Sequence, residues 1–220
     1  MEVTLVDHMG SDLSVVNAAR VSFAKRHTTF DNKNDTKLIN YLAKHNHWSP
    51  FGHASMQFYI KAPVFVARQL VKHQVGLVWN EASRRYIDEE VKFYEPKEWR
   101  GKPKNSKQGS SDEVININPS TGSGKSMVND YQQALHSAKW AYEQLLRIGV
   151  APEQARIVLP QSMYTEWYWT GSLIAFERVC RLRMSDDAQQ ESREITTMVH
   201  KELNKLWPIS MGALWNSKNI

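Results

Sequence analysis

The apolar positions change period several times along the chain. Near the N-terminus, VTLV at 3–6 reads as a short strand. The run SDLSVVNAARVSF then takes helical spacing, with Ser11 and Asp12 as candidate N-caps. KRHTTFDNKND is a polar loop, and TKLINYLAKHNH sets Leu38, Tyr41, Leu42 and His45 at helical intervals. ASMQFYIKA alternates, with Met56, Phe58 and Ile60 on one face and Ser55, Gln57, Tyr59 and Lys61 on the other, which predicts a half-buried strand. Pro63 suits the first turn of the next helix, where its missing N–H has no partner to lose. On that helix Arg68, Gln69, Lys72 and His73 share one arc, Val64, Val66, Ala67, Leu70 and Val71 fill the other, and Gly76 is the expected C-terminal stop. The residues after Gly76 read as a loop. A stretch rich in Gly, Ser, Lys and Pro follows, and after it Val128, Tyr131, Leu135, Ala138, Tyr142 and Leu145 step by three and four as a long helix. YTEWYWT predicts a strand, and two helices are expected near 172–182 and 187–206. The pattern is α+β: an antiparallel sheet flanked by helices, a single domain over 1–220 with a flexible insertion at about 99–126.

Composition narrows the class. With 220 residues and 41% hydrophobic content the chain can bury one core. It lacks the run of about 18 apolar residues that a membrane helix needs, and its first residues lack the basic-then-apolar pattern of a secretory signal. The single cysteine, Cys180, excludes an internal disulfide framework and points to a reducing, cytoplasmic setting. A net charge of +5 fits an anionic partner such as a nucleotide or a nucleic acid, and fits an ordinary soluble surface equally well.

The densest chemistry lies in KHQVGLVWNEASRRY, Lys72 to Tyr86. A solvated turn would carry interchangeable Lys and Glu. Here Gln69, Lys72, Gln74, Asn80, Ser83 and Arg85 offer donors of different geometry, including the planar fork of arginine and a short hydroxyl. That set suits an anion attached to a polar ring. Trp79, alone among these polar groups, could stack on a base. Other signals are weaker. PSTGSGKS has Pro119 where a phosphate-binding loop needs its first glycine. His45, His47 and His53 lack the Cys or acidic companions of a zinc site. Cys180 sits in SLIAFERVCRL with no activating neighbour legible, so a buried, inert thiol is expected.

The run FVARQLVKHQVGLVWNEASRRY resembles the signature of flavin-dependent thymidylate synthases, Arg-His-Arg followed after seven residues by Ser-x-Arg. The resemblance extends through GSDLSVVNAARVSF, HWSPFGHASMQFYIKAPVFVARQ, ARIVLPQSMYTEWYWT and LRMSDDAQQE, and omits 25–35 and 99–126. The basic triplet is Lys72-His73-Gln74 here, and eight residues, Val75 to Ala82, precede Ser83.

The resemblance implies reductive methylation of deoxyuridylate (dUMP) to thymidylate, with methylenetetrahydrofolate as carbon donor and NADPH-reduced FAD, in a homotetramer whose sites lie between subunits. It implies dUMP contacts from Gln69 and Lys72 of one subunit, from Glu81, Ser83, Arg84 and Arg85 of another, and from Arg156. Arg183 takes the position of the catalytic arginine set against the pyrimidine. Ser49, Lys72, His73, Gln74 and Glu81 match flavin-contacting positions, and His47 faces flavin or folate. Where the family carries an Asn, an Arg and a second Asn at flavin contacts, this chain has Ser172, Ile174 and Arg178. No metal, nucleic acid or membrane is required. Two alternatives stay open: a basic module binding single-stranded nucleic acid through Trp79, and a member that binds dUMP without turnover.

Overall fold

The computed structural model describes residues 1–87, 89–104, 109–115, 117 and 127–217. The cleanest alternation in the sequence becomes the centre of the sheet. Strand β2 (Ser55–Pro63) buries Met56, Phe58, Ile60 and Ala62 and leaves the residues between them half-buried. It pairs antiparallel with β4 (Tyr164–Ser172) along its whole length, from Ser55 opposite Ser172 to Pro63 opposite Tyr164. Strand β1 (Glu2–Met9) flanks β2 and β3 (Leu77–Glu81) flanks β4, giving the order β1-β2-β4-β3 with antiparallel neighbours throughout.

The two faces of the β2–β4 pair have opposite chemistry. On the inner face Phe58 lies opposite Trp169, and both meet Phe176 edge-on at 5.2 and 5.0 Å. On the outer face Gln57 donates to Thr170 at 2.9 Å, Tyr59 meets Tyr168, and Lys61 faces Glu166 at 3.5 Å. Helices α1 (Asp12–Arg20), α2 (Asn34–Lys44), α3 (Val64–Leu70), α6 (Leu173–Arg183), α7 (Gln190–Leu206) and α8 (Pro208–Asn216) close the inner core. Helices α4 (Met127–Arg147) and α5 (Pro152–Ala155) hold a smaller cluster around Val91, Tyr142 and Ala155.

Four details differ from the sequence expectations. Residues 77–81 form β3, not a loop: Leu77 and Trp79 pack against the core while Val78 and Asn80 are exposed, an alternation too short to stand out among polar neighbours. Helix α3 ends at Leu70, and Gly76, at φ +75°, serves the turn into β3. Pro63 is the N-cap of α3, one position ahead of its first turn. Ser11 is the N-cap of α1, but Asp12 serves another helix. Its buried carboxylate accepts the N–H groups of Ile209 and Ser210 at 3.0 and 2.8 Å and the Ser210 hydroxyl at 2.5 Å. Asp12 thus caps α8, whose mostly apolar sequence hid it from a periodicity reading.

The polar loop before α2 is tied down on both sides. The Asn17 amide bonds the backbone N–H and C=O of His27 at 2.7 and 2.9 Å. Buried Asp35 takes Arg20 at 2.9 Å and His27 at 3.1 Å. In the insertion, the Gly101 N–H donates to the Glu113 carbonyl at 2.8 Å and Arg100 bridges Val114; the stretch PSTGSGKS lies outside the described residues. No helix among the described residues is long and apolar enough to cross a membrane.

β3 reaches β4 only because position 171 is glycine. A Cβ there would stand 2.4 Å from Leu77 Cδ2 and 2.6 Å from the Gly76 carbonyl oxygen. Gly171→Ala is expected to lower stability by about 1–3 kcal/mol, read as a reduced urea midpoint at unchanged slope.

Candidate functional site

Three groups of the predicted residues assemble on separate walls. The first grows from α3. Burial of Val66, Ala67 and Leu70 turns Arg68 and Gln69 outward. The Gln69 side chain reaches α7: its amide nitrogen donates to Gln189 Oε1, and Ser192 Oγ donates to Gln69 Oε1 at 3.0 Å. In the turn that follows, Lys72 and Gln74 are exposed and His73 is half-buried. Arg183, the last residue of α6, donates its Nε–H to His73 Nε2 at 2.9 Å. An accepting Nε2 means a neutral ring protonated at Nδ1. Burial, and then the Arg183 cation, lower the His73 pKa from its ordinary value. Gln69, Arg183, Gln189, Ser185, Asp187 and Arg100 line a cleft of about 510 Å³.

The second group sits where β3 ends. Glu81 accepts from Thr165 Oγ1 at 2.8 Å and from the Trp79 indole at 3.2 Å. Arg84 donates to the carbonyls of Glu89 and Glu90. Ser83 Oγ accepts from Arg85 Nε at 3.1 Å, and the Arg85 guanidinium lies over Tyr86 at 5.0 Å. Arg156, in a 3-10 turn at Arg156–Val158, is exposed. Glu81, Arg84 and Arg156 line a second cleft of about 400 Å³, joined by Arg68, Lys61 and Lys92. Four carboxylates, Glu81, Glu89, Glu90 and Glu166, face these cations.

The third group meets at the start of α6. The Leu173 N–H donates to the Ala54 carbonyl at 2.9 Å and the Ser172 N–H to the Gly76 carbonyl at 3.2 Å. These bonds bring the 3-10 turn Ser49–His53, the 71–76 turn and α6 together. Ser172 caps α6 by accepting from the Ala175 N–H at 3.4 Å. Arg178, Ser49 and His47 are exposed, while Ile174 is 3% exposed within the core, where its side chain has no access to a ligand of this chain. His45 and His47 lie against Tyr41, with ring centroids 4.3 and 5.9 Å away.

One residue departs from the part first weighed for it, and another keeps the buried, inert role expected of it. Trp79 stacks on Trp167 at 4.4 Å and meets Trp169 edge-on, so its ring is occupied by protein and is not a free platform for a base. Cys180 is fully buried, its Sγ 3.6 Å from the Thr196 carbonyl oxygen, and burial followed by the Glu177 charge pushes the thiol far up. Such a thiol is not a nucleophile. Sequence reasoning missed Gln189 and Ser192, which hold Gln69; the only hint was the cluster of amides and a hydroxyl in AQQES just after Arg183.

The His73–Arg183 contact carries a pH dependence of known sign. Because the folded His73 pKa is lowered, the unfolded chain takes up the proton first, and the stability of the neutral ring is whole above about pH 6.5 and drains below it. Arg183→Gln is expected to raise the His73 pKa toward the ordinary value, as followed by NMR titration of the ring.

Comparison with known proteins finds relatives that match nearly the whole chain. The family model described as "Thymidylate synthase complementing protein" matches residues 4–209. A flavin-dependent thymidylate synthase of Kosmotoga olearia is 39% identical over 214 residues, spanning 97% of this chain and 90% of the relative. One from Thermus thermophilus is 37% identical, spanning 96% of this chain and 74% of the relative. A crystal structure of the UMP/dUMP methylase PolB from Streptomyces cacaoi bound with 5-Br dUMP superposes with a TM-score of 0.82 at 33% identity, covering 98% of this chain and 95% of the other. With the match running through nearly the whole chain, the protein belongs to the thymidylate synthase complementing protein family.

Proposed function

We propose that this protein is a flavin-dependent thymidylate synthase that methylates dUMP. The observation that carries the reading is Arg183, held by neutral His73 and facing the same cleft as Gln69. A guanidinium beside a uracil ring favours the N3-deprotonated form and raises electron density at C5, the carbon to be alkylated. Gln69 offers one amide donor and one acceptor to a polar ring edge. Arg84, Arg85 and Arg156 supply forks for a phosphate, and Ser83 a hydroxyl donor.

The third group suits a flavin nucleotide by the chemistry of its donors. Lys72, Gln74, Arg178 and Ser49 are exposed hydrogen-bonding side chains on segments that the Gly76–Ser172 and Ala54–Leu173 bonds draw together. His73, Ser172 and His47 border them, Glu81 lies at the far end of β3 in the second cleft, and at Ile174 only the backbone could take part. FAD reduced by NADPH would supply the hydride, and methylenetetrahydrofolate the carbon unit. The chain's own residues bind and orient the nucleotide and polarise its ring.

The division of dUMP contacts between two clefts of one chain supports a homotetramer with sites between subunits. Val75, Val78 and Tyr86, which border the site segments, are 82%, 65% and 77% exposed, as surfaces covered on assembly would be. A single catalytic domain with a flexible insertion at about 99–126, in the cytoplasm, completes the reading. Lys72 and Gln74 in place of arginines, with Ile174 in the core, favour as a second reading a dUMP-binding member without turnover.

Tritium release from [5-³H]dUMP with FAD, methylenetetrahydrofolate and NADPH decides between them, with UMP as a parallel substrate. Release is expected. Arg183→Ala is expected to stay folded and lose on the order of 10²–10³ in turnover. Cys180→Ala is expected to keep turnover close to the parent's, since its thiol is sealed in the core. Release absent under all conditions would leave only the binding reading.

A further inference from the structure

Behind Gln69 runs a chain of hydrogen bonds with a fixed direction. Glu191, in the first turn of α7, is 4% exposed. Arg100 Nη2 donates to its Oε1 at 2.7 Å and the Tyr94 hydroxyl to the same atom at 3.3 Å. Gln189 Nε2 donates to its Oε2 at 3.0 Å, which turns Gln189 Oε1 toward the Gln69 amide nitrogen. Ser192 closes the set on Gln69 Oε1.

We propose that Glu191 is a positioning residue for the nucleotide: as an acceptor-only anchor it sets the polarity of Gln189, and through it the orientation in which the Gln69 amide is presented to substrate. An amide can be turned end for end at little cost when its neighbours are hydroxyls or other amides, which both donate and accept. An ionised carboxylate cannot donate. Its presence forces the –NH₂ of Gln189 toward Glu191, so the Gln189 carbonyl must face Gln69, and Gln69 must answer with its own –NH₂. Burial works to raise the Glu191 carboxyl, but the hydrogen bonds from Arg100, the backbone and Gln189 outweigh it and hold the group below the ordinary carboxylate value, hence ionised.

The cation that keeps this anchor charged comes from the insertion. Arg100 also donates its Nε–H to Ser110 Oγ at 2.9 Å and bridges Val114, and the neighbouring Trp99 packs on Tyr131 of α4 at 5.3 Å. The insertion therefore has a place in the site: its first residues hold the charge on which the Gln69 orientation depends.

The proposal rests on Gln69 being a nucleotide contact, and one experiment separates the two. Calorimetric binding of dUMP to the full-length protein is compared for the parent, Glu191→Gln, Gln189→Ala, Gln69→Ala and the Glu191→Gln/Gln69→Ala pair, with thermal melting to confirm folding. Glu191→Gln keeps the shape and removes the acceptor-only character. It is expected to weaken dUMP about tenfold, near the worth of one hydrogen bond, and to raise KM by the same factor with kcat changed less than about threefold. Gln189→Ala, which leaves the buried charge alone, is expected to do the same. The double variant is expected to bind no worse than Gln69→Ala. Affinities of Glu191→Gln and Gln189→Ala within about twofold of the parent, or losses that add in full to that of Gln69→Ala, overturn the relay. Normal dUMP binding by Gln69→Ala overturns the site reading beneath it, and the relay with it. If Glu191→Gln does not fold, the cycle of Gln189→Ala with Gln69→Ala decides.

Discussion

The antiparallel pairing of β2 with β4 is the constraint on which the site depends. Its register sets Phe58 against Trp169 and Ile60 against Trp167 on the core side, and so fixes which face receives helices. It also fixes where the helices start. Pro63 and Ser172, the last residues of the two strands, lie at opposite ends of the pair, and α3 and α6 leave from those ends. Two helices launched from opposite ends and packed into one core bring their far ends toward each other. His73 and Arg183 meet for that reason, although 110 residues separate them. A slip of one residue in the pairing would exchange the faces of both strands and move both launch points.

Three buried carboxylates are each held by several donors, whereas Glu177 bonds Arg181 through Oε1 and leaves its Oε2 without a hydrogen-bond partner among the described residues. Asp12 accepts three donors, Asp35 is held by Arg20, His27 and a backbone N–H, and Glu191 by Arg100, Tyr94 and Gln189. The guanidinium of Arg183 and the exposed Lys72, Arg85 and Arg156 stand closer to solvent, where a ligand can reach them. Buried carboxylates thus lie within the frame while these cations stand nearer the surface.

Much of this frame is legible in the sequence because it is written in local periods. Met56, Phe58 and Ile60 announce β2, and the three-and-four steps from Val128 to Leu145 announce α4. β3 escapes because five residues barely establish a period, and its polar neighbours drown the inward pair Leu77 and Trp79. α8 escapes because burial on nearly all sides leaves little periodicity to see, and its cap, Asp12, lies almost two hundred positions upstream. At the site, residue types are legible and connections are not. The mixed donors of 69–85 point to a ligand with an anion and a polar ring, but nothing local says that Gln69 is tied to Gln189 and Ser192, or that Trp79 is occupied by Trp167.

The place of β3 at the edge of the sheet bears on how relatives of this chain can be recognised. An extra residue in a central strand must be reconciled with two neighbours at once. Between Gln74 and Ser83 it meets only β4, or is absorbed in the turn before Leu77, while no strand among the described residues pairs with the outer side of β3. Spacing across this segment is therefore soft, whereas the glycine at 171 that lets β3 approach is rigid. A search pattern that demands a set interval between the basic triplet and the serine would pass over chains like this one. A pattern that let the interval vary by a residue, and asked for a glycine in the strand that β3 joins, would keep them.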